Sequence, residues 1–203
     1  RGTPYYAFRF QDASDERPEY YDELGNSLRR EFLRSPLDYA RVSSRFSYSR
    51  RHPVLGVNRP HLGTDYAAPT GTPVRSVGDG VVEFAAYKGG NGNYVRIRHN
   101  GTYSTGYLHL NRMAEGIRRG VTVEQGEVIG YVGSTGLSTG PHLDYRVWKH
   151  GTAIDALDMD LPPAYPVAPE LRQTFMQTVQ RLQPMLDRPT HFAAERAISA
   201  STS

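Results

Sequence analysis

Turn-forming clusters punctuate the middle of this 203-residue chain, and they limit what it can fold into more than any other feature. Gly78-Asp79-Gly80 and Gly89-Gly90-Asn91-Gly92 separate short alternating or β-branched runs: Thr72 to Val77, Gly80 to Tyr87, Tyr94 to His99, Tyr103 to Leu110, Glu127 to Val132 and Leu143 to Trp148. Runs of this length, bounded by residues that accept tight-turn backbone, make strands joined by hairpins rather than parallel strands joined by helices. The 20 glycines, 14 prolines and 14 tyrosines suit the same architecture. The pattern predicts an all-β fold, a small and mostly antiparallel body of open-barrel or sandwich type, over residues 41–160.

The flanks read differently. Residues 1–40 form a polar, aromatic lead-in in which Leu24, Leu28 and Phe32 recur at four-residue spacing, predicting a short helix from Glu23 to Leu33 that Ser35-Pro36 closes. Residues 161–188 begin with four prolines between Leu161 and Pro169. Leu171, Phe175, Val179 and Leu182 then mark one face of an amphipathic C-terminal helix, expected to dock on its own domain and to stop at Pro184. Residues 189–203 are small and polar and are expected to fray. The first residue is Arg, and no basic-then-apolar leader follows, so the sequence reads as a trimmed fragment.

Composition excludes several classes. No apolar run is long enough to span a bilayer, so no transmembrane segment is expected. Without cysteine there is neither a disulfide framework nor a thiolate metal site, and any metal must be held by histidine and carboxylates. A net charge of +3 suits an anionic partner. No recognised nucleic-acid module accompanies that charge, which argues against DNA or RNA.

Three segments carry candidate chemistry. In His61-Leu62-Gly63-Thr64-Asp65 an extended backbone puts His61 and Asp65 on one face, where both can meet one metal ion; alone, this spacing is common and weak. In Tyr107-Leu108-His109-Leu110 alternation places Tyr107 with His109, and both leucines toward the core. In Pro141-His142-Leu143-Asp144-Tyr145-Arg146 it places His142 with Asp144. Gly136-Leu137-Ser138-Thr139-Gly140 matches the serine-hydrolase elbow, but a strand-like run follows where that motif needs a helix.

Taken in order, these segments resemble the lysostaphin-type, LytM-like zinc metallopeptidases. The likeness runs from Ser43-Ser44-Arg45-Phe46 through His52-Pro53, His61 to Pro69, Gly71-Thr72-Pro73-Val74, Tyr107 to Leu110 and Gly133-Ser134-Thr135-Gly136 to Ser138-Thr139-Gly140-Pro141-His142-Leu143. The lead-in around Tyr20-Tyr21-Asp22 and Phe32-Leu33-Arg34-Ser35-Pro36 is similar to the linker of larger envelope DD-endopeptidases. The resemblance implies one zinc ion bound by His61 and Asp65, with His109 and His142 as unligated catalytic histidines whose roles it does not divide. It implies hydrolysis of amide bonds in peptidoglycan cross-links, and a place outside the cytoplasm, in the periplasm or cell envelope. Expected partners are peptidoglycan peptides and other cell-wall enzymes.

One position departs from the family. Where it reads His-x-His this chain reads His142-Leu143-Asp144, so Asp144 stands for the third zinc ligand. Aspartate is a legitimate ligand, but it is shorter than histidine, so the strand must shift or a water must bridge. Two carboxylates would also cancel the charge of Zn²⁺, implying a bound water that deprotonates at higher pH than in relatives with the standard ligands. The alternative is an inactive regulatory or peptidoglycan-binding domain on the same fold.

Overall fold

The strand that carries two of the candidate residues lies in the interior of a sheet. The computed structural model describes residues 5–11, 18–39, 41–51, 58–159 and 161–186. Its largest sheet contains β1 (Arg41–Ser44), β2 (Thr64–Ala67), β3 (Gly80–Tyr87), β4 (Asn93–Arg98), β5 (Tyr103–Leu110), β6 (Thr122–Val123), β7 (His142–Lys149) and β8 (Thr152–Ile154). Their order is β6-β3-β4-β5-β7-β2-β1, with β8 added to the end of β7. All of these pairings are antiparallel, so the predicted all-β, mostly antiparallel architecture is the observed one, in the form of an open sheet.

Alternation explains why β7 sits where it does. Leu143, Tyr145 and Val147 are buried on one face, leaving His142, Asp144, Arg146 and Trp148 on the other. The buried face joins Val95 and Ile97 of β4, together with Val74 and Ile129 of a three-stranded sheet formed by Pro73–Arg75, Arg112–Met113 and Val128–Tyr131. Tyr107 lies fully inside this core, where its hydroxyl accepts from the Val77 amide at 3.1 Å and from Thr105 at 3.0 Å. Burial pushes its pKa up to about 12.

Alternation fails in β5. Its pairing with β4 slips between Tyr107 and Leu110, and His109 takes the left-handed conformation at φ 61°. This bulge sends Tyr107 and Leu110 into the core and turns His109 to the opposite side, so the expected shared face of Tyr107 and His109 does not exist. Asn93 braces the bulge, donating from Nδ2 to the carbonyls of Leu110 and Asn111.

The chain forms two compact units, Arg30–Pro162 and a second built from Arg1–Arg29 with Pro163–Ser203. In the second, the strands Phe8–Phe10 and Glu19–Tyr21 pair. Helix α1 (Arg172–Leu186) packs there through buried Phe175 and Val179, with Phe8, Phe10 and Tyr21 meeting the Phe175 ring edge-on. The helix passes through Pro184 instead of stopping there, since a proline in the last turn forfeits only one backbone bond.

The expected helix from Glu23 to Leu33 does not form. Asp22 Oδ1 accepts from the amides of Leu24 and Asn26, Gly25 adopts φ 82°, and Tyr21 bridges Ser27. This side-chain turn captures the amides a helix would need. Leu24 and Leu28 are left exposed while Phe32 is buried. Among the described residues no helix is long and apolar enough to cross a membrane. The tail at 189–203, expected to fray, and the His52-Pro53 motif lie outside the described residues.

Candidate metal centre

Asp65 on β2 and Asp144 on β7 are direct cross-strand partners. Two carboxylates placed opposite each other repel unless a cation sits with them. His61 closes the third corner: one donor atom from each of His61, Asp65 and Asp144 lies within 4.8 Å of the others, and all three residues are buried. The β2–β7 register is regular across this pair. Gly63 provides the room, because a Cβ there would collide with Asp144 Oδ1.

The tautomer of His61 follows from its neighbours. Nδ1 lies 2.9 Å from the Arg45 carbonyl, which can only accept, so Nδ1 carries the proton. Nε2 then faces Asp65 Oδ1 at 2.9 Å, lone pair toward lone pair. A cation must lie between them, either a second proton or a metal ion, and an imidazole oriented by a backbone carbonyl is a usual metal ligand. Burial pulls the His61 pKa down, but the hydrogen bond and charge of Asp65 outweigh it, and the net shift is upward. The donor set of one imidazole and two carboxylates fits Zn²⁺ and leaves a coordination position open.

His109 and His142 stand beside this triangle with ring centroids 4.9 Å apart. Nδ1 of His109 donates to the Thr135 carbonyl at 2.8 Å, and Nδ1 of His142 donates to the Gly140 carbonyl at 2.8 Å. Both Nε2 atoms therefore carry lone pairs when the rings are neutral. Nε2 of His142 lies 3.9 Å from Asp65 Oδ1. Burial is the main influence on His109 and lowers its pKa, favouring the neutral, proton-accepting form.

The five residues singled out in the sequence thus line one cleft of about 710 Å³. Ser138 lines it as well, 3.3 Å from His142 Nδ1. Because that nitrogen donates to Gly140, it cannot also accept the serine proton, so a serine nucleophile has no base there. Asn91 also lines the cleft, whereas the neighbouring tyrosines Tyr66 and Tyr94 are buried.

Sequence reasoning missed Arg146. Its Nε lies 3.1 Å from both oxygens of Asp144, and Nη2 lies 2.6 Å from Oδ2. Burial alone would raise the pKa of Asp144, but the charge and hydrogen bonds of Arg146 win and lower it. The signal was present, since positions 142, 144 and 146 share a strand face.

Residues 59–156 match the sequence model of Peptidase family M23. The chain belongs to that family. It is 45% identical over 174 residues to the peptidoglycan DD-endopeptidase ShyC of Vibrio cholerae, covering 86% of this chain and 40% of that protein. A zinc-containing peptidase from Vibrio cholerae has a similar structure, with TM-score 0.62 and 42% identity, covering 78% of this chain and 47% of that one. The catalytic domain of lysostaphin from Staphylococcus simulans aligns with TM-score 0.51 and 29% identity over 57% of this chain and 88% of its own. This M23 chain therefore spans about two fifths of the length of ShyC.

Proposed function

We propose that this M23 domain is a zinc metalloendopeptidase that hydrolyses amide bonds in the stem-peptide cross-links of peptidoglycan. The observation that carries the reading is the juxtaposition of a buried His61–Asp65–Asp144 donor triangle with two histidines whose Nε2 atoms are free to accept protons. Asp144, the departure that raised the regulatory alternative, contributes an oxygen to that same triangle, which supports the catalytic reading.

In this assignment His61, Asp65 and Asp144 would hold the ion, which would supply a Lewis acid for an attacking water and for the scissile carbonyl. His109 and His142 manage protons: a neutral imidazole accepts one from the water, and an imidazolium returns it to the departing amine. Carbonyls of Thr135 and Gly140 fix both rings, so neither must reorient during the reaction. The cross-link as substrate is supported by similarity to ShyC and ShyA, both named peptidoglycan DD-endopeptidases, and it implies action outside the cytoplasm.

The test pairs metal analysis of the purified chain with digestion of cross-linked muropeptides. Near-stoichiometric zinc and release of monomers, both lost in His61→Ala, are expected. A metal-free protein that leaves the cross-links intact would overturn the assignment.

A further inference from the structure

Asp144 is held differently from His61, another corner of the triangle. His61 is fixed by a backbone carbonyl, whereas Asp144 is clasped by a side chain two residues along its own strand. Three nitrogen–oxygen contacts of 2.6–3.1 Å make the clasp a fork, a geometry that guanidinium provides and ammonium does not. Both partners fill the space that Gly63 leaves open, where a Cβ would meet Asp144 Oδ1 and, at 2.8 Å, Arg146 Cγ. The room above Gly63 thus accommodates the pair.

We propose that Asp144 and Arg146 form one functional unit, with Arg146 the positioning residue that makes an aspartate serviceable at the third corner of the metal site. The inference rests on the metal-site reading above. Its first argument is steric: the fork immobilises the short carboxylate opposite Asp65, where an unheld side chain could rotate away from a like charge. The second is charge. Two carboxylates and one guanidinium sum to a single negative charge, the same as one carboxylate with two neutral imidazoles. Arg146 therefore offsets the extra anion, and the higher deprotonation pH expected from two carboxylates alone no longer follows.

The consequence runs against intuition. Asp144→His would supply the family's usual ligand but leave Arg146 unpaired beside a dication. Restoring that histidine alone should weaken zinc binding, and removing Arg146 as well should recover it.

The experiment measures zinc affinity by competition with a chromophoric chelator for the full 203-residue chain and for Arg146→Gln, Asp144→His and the double variant, each checked by thermal melting. Arg146→Gln is expected to weaken zinc binding by about 10–100-fold when residue 144 is aspartate, the range for loss of a partner that orients a ligand. When residue 144 is histidine, the same change should strengthen binding by about tenfold. That reversal is protected from misfolding artefacts, since an unfolded protein does not gain affinity. Arg146→Lys, which keeps the charge but loses the fork, should fall between wild type and Arg146→Gln.

The same factor for Arg146→Gln in both backgrounds, with zinc still bound by the wild type, would overturn the paired unit and leave the metal site standing. A wild type that binds no zinc would overturn both.

Discussion

Nε2 of His61 and Oδ1 of Asp65 face each other at 2.9 Å, with the far nitrogen of the ring tied to the Arg45 carbonyl. This closes off the tautomer that would let His61 donate to Asp65 while remaining neutral, so the pair demands a cation. Asp65→Asn should abolish the demand, because an amide can donate to Nε2 directly. The variant is expected to keep its fold and lose zinc, as read by metal analysis beside circular dichroism; zinc retained at wild-type stoichiometry would refute the pairing argument.

Gly63→Ala places a methyl group against Asp144 Oδ1 and the Tyr145 carbonyl, the latter at 2.9 Å. Overpacking of this kind costs about 1–3 kcal/mol, or roughly 2–4 °C per kcal/mol for a chain of this size. A lower melting temperature is expected together with weaker zinc binding. Unchanged values for both would show that the clearance at Gly63 has no structural role.

His109→Ala should separate chemistry from metal binding. The residue is outside the donor triangle, so zinc content should stay near wild type while kcat falls by about 10²–10⁴, the usual contribution of a general acid or base. Muropeptide turnover measured at saturating substrate decides this, and an activity close to wild type would remove His109 from the proposed mechanism.

His99 gives a pH prediction independent of the metal site. Its ring spans the Asp79 carbonyl at 2.8 Å and Thr105 Oγ1 at 2.8 Å, with Phe32 edge-on. Burial lowers its pKa from the ordinary 6.5. The unfolded chain therefore binds more protons than the folded one as pH drops below 6.5, and stability falls on acidification through that point. His99→Gln should flatten the melting temperature against pH between about 6.5 and 5; an unaltered slope would assign acid sensitivity elsewhere.

In the unit built from the chain ends, Phe175 meets three aromatic rings. Phe175→Ala should destabilise that unit by about 3–5 kcal/mol. Hydrogen exchange of the α1 amides is the measurement, with much faster exchange expected; protection equal to wild type would mean the cluster does not hold the helix.

The body of the fold was legible because turn clusters and alternation are local signals. His142-Leu143-Asp144 read correctly, since β7 is unbroken across those residues and its two faces differ sharply in polarity. His109 joined the cleft as expected, yet by a different route. A bulge with a left-handed histidine has no local marker, whereas a glycine there would have announced one. The false helix at Glu23–Leu33 arose from trusting apolar spacing over Asp22, Gly25 and Asn26, whose turn chemistry was already visible. Arg146 was overlooked because an arginine on a strand usually reads as a solvated charge.

Strand β7 has hydrogen-bonded neighbours on both sides, β5 and β2. Its backbone is thus committed twice over, and side chains on its open face can be exchanged without renegotiating the sheet. A lineage could swap one donor type for another here in two steps, changing residue 144 and then its clasp at 146, with the scaffold indifferent to both. The order of those steps would matter, because either residue without its partner leaves a charge stranded in a buried cleft.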